Sequence, residues 1–231
     1  MKTLALIALL AGCAADTGDD FPLLTGGGSL PAAGQAGVVS GRICVVTDPR
    51  NLAACSPSGA DGLTVTLASS AATTAQDGSF QVVVPPAASP ATPMLSVTGP
   101  GFVPTQITMS SAASIPVLRA DLFSQMLAAN GITPSSGSGS ILGTVVRGGV
   151  PAPGVTVTVT PAPAFAPRFD GGSPTSFALD ATGARGVVWI PGVALGPTQL
   201  TFRDLATSGE TTVNGVQVIN GGITFMDAVL P

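Results

Sequence analysis

Two six-residue stretches, Gly62 to Leu67 (GLTVTL) and Gly154 to Val159 (GVTVTV), are near copies, and each belongs to a longer series that recurs in the same order. Val38 to Val46 (VVSGRICVV) precedes the first and Ile141 to Arg147 (ILGTVVR) the second. Thr73 to Val84 (TTAQDGSFQVVV) and Leu179 to Ile190 (LDATGARGVVWI) follow, and Met94 to Phe102 (MLSVTGPGF) and Gln199 to Asp204 (QLTFRD) come last. Four segments repeated in one order mark an internal duplication. Alternation of Val or Leu with Thr is the pattern of a strand with one buried face. The Asp-Gly and Thr-Gly-Ala-Arg-Gly pieces suit hairpin turns, because glycine tolerates positive φ. The chain is therefore predicted to be all-β, built as two small units.

Composition points the same way. Charged residues make up 9% of the 231, where about 25% is usual, so helices lack their surface charges. An apolar content of 45% argues against disorder. Net charge is −4, and seven Arg with a single Lys form no basic stripe, which excludes nucleic acid as a partner class.

The opening MKTLALIALLAGCAADTGDD has Lys2, an apolar run from Leu4 to Leu10 and then small residues, the shape of a secretory signal. The run is too short to span a bilayer, which takes roughly 20 apolar residues. Leu10-Ala11-Gly12-Cys13 resembles the lipobox of bacterial lipoproteins. That resemblance implies cleavage before Cys13, acylation of Cys13 and attachment to a membrane. Several acyl chains hold a protein far more firmly than one myristoyl chain does. Ala14 and Ala15 follow in place of an aspartate, which in enteric-type lipoproteins leans toward the outer membrane. From Ala14 to about Gly37 the chain reads as a flexible tether.

The glycine-centred first strand, the Gly-x-T-V-T strand, the Asp77-Gly78-Ser79-Phe80 hairpin and the later Ser96 to Phe102 segment together resemble the carboxypeptidase regulatory-like domain. The first repeat carries these motifs more fully than the second, which is similar to tandem variants in predicted lipoproteins of myxobacterial type. The resemblance implies tandem Greek-key transthyretin-like β-sandwiches with an accessory, non-catalytic role. The expected organisation is a signal peptide at 1–12, the lipidated cysteine and tether at 13–37, sandwiches at 38–117 and 139–231, and a short α-helix with a Ser/Gly linker at 118–138. Leu118, Leu122, Phe123, Met126 and Leu127 fall on one helical face, Asn130-Gly131 stops the helix, and Ser135 to Ser140 reads as a hinge.

Gly41 and Gly62 stand 21 positions apart, whereas Gly143 and Gly154 stand 11 apart. The extra residues of the first repeat contain Cys55, with Cys44 just before them. With Cys13 given to lipid, Cys44 and Cys55 are expected to pair in an oxidising compartment; two free thiols or a disulfide to a partner is the competing reading.

The sequence contains no histidine, so it has no imidazole base and lacks the usual zinc ligands. Its carboxylates are scattered, and the Asp-Gly pairs read as turns, not as calcium ligands. No cofactor, metal site or catalytic residue is expected. Trp189 alternates with Val187 and reads as core. Phe165, Arg168, Phe169 and Phe177, in the long loop APAFAPRFDGGSPTSF, are the candidate contact surface if they are exposed; covering an open sandwich end is the competing reading. The functional expectation is a non-enzymatic, lipid-anchored envelope protein of the outer membrane that acts as a structural or binding module toward an unknown protein or glycan. The alternatives are an accessory subunit of an outer-membrane receptor or secretion complex and, more remotely, a hydrolase using scattered carboxylates.

Overall fold

The computed structural model describes residues 37–56, 58–84, 94–108 and 114–231. Cys13, the signal segment and the tether as far as residue 36 lie outside the described residues. The first repeat contributes β1 (Gly37–Asp48), β2 (Asn51–Ser56), β3 (Thr64–Leu67), β4 (Ser70–Thr73), β5 (Ser79–Val84), β6 (Met94–Thr98), β7 (Thr105–Thr108) and β8 (Ser114–Val117). Helix α1 (Ala120–Ala129) follows. The second repeat contributes β9 (Ser138–Arg147), β10 (Val150–Pro151), β11 (Val155–Thr160), β12 (Arg168–Phe169), β13 (Val187–Ala194), β14 (Gly196–Asp204), β15 (Glu210–Val218) and β16 (Ile223–Leu230).

Both repeats use one plan. The first strand, β1 or β9, pairs antiparallel with β5 or β13 and parallel with β8 or β16. The Thr-Val-Thr strand, β3 or β11, heads a second, antiparallel sheet, β3-β6-β7 or β11-β14-β15. Alternating apolar side chains of the two sheets meet between them, so each repeat is a β-sandwich.

Local geometry confirms the duplication atom by atom. In the first repeat Thr74 receives the N–H of Gly62 on its carbonyl (3.2 Å) and that of Leu63 on its hydroxyl (2.8 Å), and its own N–H and hydroxyl reach Leu63 O (2.9 Å) and Ala60 O (2.5 Å). Thr182 repeats all four bonds with Gly154 (2.8 Å), Val155 (2.9 Å), Val155 O (2.9 Å) and Ala152 O (2.6 Å). Gly78 and Gly186 also correspond. Both have positive φ, 77° and 65°, and both accept from the first strand, from Ile43 N and Val145 N, at 2.8 Å. The hairpins therefore superimpose with Thr74 on Thr182, two residues along from the alignment that the sequence pattern suggests.

The two sandwiches are not separate beads. The C-terminal strand β16 pairs in parallel with β9 of its own repeat and also with β7 of the first, placing Ile223 opposite both Ser140 and Thr105. One sheet thus runs through both repeats in the order β12-β13-β9-β16-β7-β6-β3-β4, with β10 added on β9. Its two faces serve two cores. One face, carrying Leu142, Val187, Trp189, Ile223 and Phe225, shares a core with Ile43, Val65, Leu95 and Met126. The other, carrying Ile141, Val145, Val188 and Ile190, packs on Val155, Leu200 and Phe202 of the β11-β14-β15 sheet.

This geometry overturns the expected hinge at Ser135 to Ser140. Strand β9 begins at Ser138, Ser138 and Ser140 are buried, and Ser138 Oγ donates to Ser135 O at 2.7 Å. A run of small hydroxyl residues is flexible only where nothing pairs its backbone, and here a sheet does. The helix stands as expected: Leu118 and Met126 are fully buried, Leu122, Phe123 and Leu127 pack against the core, and Gly131 takes a φ of 65° just past its end. The extra residues of the first repeat form the β1–β2 hairpin, stapled by Cys44–Cys55 with the Cα atoms 5.4 Å apart.

Candidate functional site

Chemistry-bearing side chains gather at the seam between the repeats. The tip of the disulfide-stapled hairpin reaches across it. Arg50, 8% exposed, donates from Nε (3.1 Å) and Nη2 (2.9 Å) to the two carboxylate oxygens of Asp48, while its Nη1 donates to Gly172 O in the second repeat. Arg185 of the second repeat approaches Asp48 from the other side at 3.8 Å. Burial works to raise the Asp48 pKa, but the Arg50 hydrogen bonds and the two guanidinium charges outweigh it and hold the carboxyl below its ordinary range.

A second tie comes from Asn130 at the end of α1. Its Nδ2 donates to Met126 O (2.7 Å) and to Thr175 O (2.8 Å), and its Oδ1 accepts from Phe177 N (3.0 Å). One amide thus caps the helix and pins the loop of the second repeat. Between these ties lies an aromatic cluster. Trp189, fully buried, meets Phe177 at 5.5 Å and, edge-on, Phe123 of α1 at 6.5 Å.

The loop that the sequence left open between a contact surface and a sandwich cover is the strap that makes this seam. Phe169 is 4% exposed and packs in the second core; Phe177 is 1% exposed and packs in the first. They point to opposite faces of the shared sheet. Phe165 is half-buried behind Gly192, where an added Cβ would come within 2.8 Å of its ring. Arg168 is half-buried on β12 opposite Trp189, and its Nε is without a partner among the described residues. No exposed three-phenylalanine patch results, because large apolar side chains on a loop crossing a sheet edge are driven under cover.

Beside the aromatic cluster is a shallow apolar cleft of about 60 Å³, walled by Phe123, Leu127, Ile132 and Pro134 and floored by Ser140, Gly192 and Gly222. Ligand pockets for small molecules typically hold about 300–1,000 Å³, so this one admits a side-chain tip at most. On β16, Asp227 is opposite Thr144, whose hydroxyl lacks a partner among the described residues. Burial pushes the Asp227 carboxyl up to about 6. Asp77 and Asp204 are held low instead, by hydrogen bonds from Ser79 and from Thr207 respectively. Both close turns, as the Asp-Gly reading of Asp77 anticipated.

Sequence reasoning reached Cys44, Cys55, Trp189 and, as a helix stop, Asn130, but missed Asp48, Arg50, Asp227 and the reach of Asn130 into the second repeat. The position of Arg50 inside the insertion that breaks the repeat was the available signal.

No family model matches the sequence, and no curated protein does. Among solved structures, the Bacillus anthracis TIE protein aligns over 84% of this chain and 34% of its own length, at 13% identity and a TM-score of 0.28. The chain thus spans about a third of that structure. GBS52, the minor pilin of Streptococcus agalactiae, aligns over 84% of this chain and 94% of its own at 14% identity and a TM-score of 0.24. The shaft pilin SpaA of Lactobacillus rhamnosus GG aligns over 85% and 98% at 8% identity and a TM-score of 0.25. At these scores the functional reading rests on the chain's own residues.

Proposed function

We infer that the chain is a non-enzymatic, lipid-anchored envelope protein whose fused sandwiches serve as a stiff structural or binding arm. The observation that carries this reading is the shared sheet, with its Arg50 and Asn130 ties, which joins the repeats into one body. Two domains on a flexible linker explore many orientations; a common sheet and core leave essentially one. The lipobox at Leu10 to Cys13 supports the anchor, and the resemblance of the first repeat to an accessory domain supports a role without catalysis. Asp227 is the one carboxyl pushed upward among the described residues with a resolved shift, and an isolated acid without a paired carboxyl or a roomy groove does not make a hydrolytic centre. The outer membrane is the proposed location, with the arm held off the bilayer by residues 14–36.

The test has two arms. Spin labels on exposed Gln81→Cys and Ala206→Cys, one in each repeat, should give a single narrow distance distribution by pulsed electron resonance in the full chain. A broad distribution would overturn the stiff arm. Cys13→Ser should move the protein from the membrane fraction to the soluble fraction, with loss of acyl mass from its N-terminal peptide; membrane retention would overturn the anchor.

A further inference from the structure

The equivalence of the repeats exposes one place where they differ in substance. In the first repeat, the free side of β3 is filled by β4, which pairs Val65 with Ala72 and Leu67 with Ser70. In the second repeat, the residues matching β4 are Ala178 to Ala181, and they do not lie beside β11. They have been drawn away with the strap, where Leu179 bridges Phe169 and Phe177 bridges Gly171. Among the described residues, strand β11 is left at the edge of its sheet, paired only with β14.

The orientation of the vacant edge follows from the Thr182 bonds. Val155 directs both its N–H and its C=O to Thr182, away from β14. In an antiparallel pair this direction alternates, so Val157 and Val159 also aim their backbone groups outward, and no backbone bond continues that ladder at either residue among the described residues. The side chains register the gap. Val65 is fully buried beneath β4, whereas its counterpart Val157 is only partly buried. The strand VTVTVT also lacks the usual edge defences: it has no charge, no proline and no bulge. The opposite edge of the same sheet, β15, does have them, with Glu210 and a register break at Asn214-Gly215.

We propose that this vacant place is filled by β11 of a second molecule, making a two-fold dimer through continuous sheet. The strand is self-complementary in both respects that matter. Antiparallel pairing centred on Thr158 sets Val157 of each molecule against Val159 of the other, so the outward-facing N–H and C=O groups meet in four hydrogen bonds. The same register keeps valines on the core side and threonines on the solvent side of both molecules. Because each strand meets its own copy, the contact closes at two molecules and does not propagate into a fibre. The other occupant of matching shape is a short extended strand like Ser70 to Thr73.

The register makes the proposal testable on the full chain in membranes. Thr158 would face its own counterpart at a non-hydrogen-bonded position, with Cα atoms about 4.5 Å apart, within reach of a disulfide. Thr158→Cys should give a covalent dimer on mild oxidation, with the bridge mapped to residue 158 by mass spectrometry. Thr156→Cys alone should not, but mixed with Thr160→Cys it should. Thr158→Lys, at an exposed position, should abolish the dimer seen by light scattering and leave the circular dichroism of the folded chain unchanged, since two ammonium groups would oppose each other. The proposal fails if Thr158→Cys cross-links no faster than an exposed control such as Thr98→Cys, or if Thr158→Lys still dimerises. It also fails if the chain is monomeric while a synthetic peptide of residues 68–76 binds and shifts the Val157 and Val159 amide resonances.

Discussion

Replacing Arg50 by alanine tests whether the two repeats unfold as one body. The change removes the two-pronged side-chain bond to Asp48 and the bond to Gly172 O, leaving Asp48 with the backbone N–H of residue 50 at 3.0 Å and Arg185 at 3.8 Å. Breaking a buried pair by deleting one partner costs about 3–5 kcal/mol. Asp48 retains some contact with water, so about 3 kcal/mol is the expected loss. For a cooperative unit of 150–250 residues each kcal/mol lowers Tm by about 2–4 °C, and for a unit of 60–100 residues by about 4–8 °C. One body therefore predicts a single calorimetric transition moved down by about 6–12 °C. Independent repeats predict two transitions, with that of the first repeat moved by about 12–24 °C and that of the second in place. The second pattern, or a shift below about 2 °C, would refute the assignment of Arg50 as a tie across the seam.

Replacing Cys44 and Cys55 by alanine should lower stability by about 3 kcal/mol in urea without changing the denaturant slope, since the loop they close is short. Asp227 is raised in the folded state, so its contribution is complete below about pH 4 and lost as pH rises through about 6. Asp48, Asp77 and Asp204 are lowered and contribute only above about pH 4. Stability should therefore peak near pH 4 and fall as pH rises to about 6, and Asp227→Asn should raise it by about 2–3 kcal/mol at pH 7.5 but hardly at about pH 3.5, as read from urea midpoints. Asn130→Ala strands the Phe177 N–H and frees Thr175 O; a cost of about 2–3 kcal/mol and faster proteolysis within residues 161–181 are expected.

The parts of the fold legible in the sequence were those governed by local periodicity. The Thr-Val-Thr alternation, the glycine turns and the apolar stripe of α1 are each set within a few residues, and the strands, hairpins and helix follow them. The disulfide was legible because an insertion brought a spare pair of cysteines close in sequence. The joining of the repeats was not, since nothing in the pattern of β16 (ITFMDAVL) says which strand lies on its second side. Continuous burial was its one hint: a strand apolar on both faces belongs in the middle of a sheet. The phenylalanines of the long loop stayed open between contact surface and cover for a related reason. Exposure is decided by where the loop crosses, and that depends on the hairpin tip at Arg50, 122 positions from the Gly172 it holds.

Strand β16 follows in sequence every strand it joins. Ile223 meets Thr105 and Ser140, which precede it by 118 and 83 positions. Contacts so distant along the chain must overcome a large closure entropy before any of their pairing is gained, and they form slowly. Until β16 arrives, β7 and β9 each present a bare edge, the condition under which nascent chains stick to one another. Maturation should thus be a single late event in which one ribbon slots between two waiting ones. A chain emerging N-terminus first from a membrane channel would need an attendant chaperone until that ribbon clears.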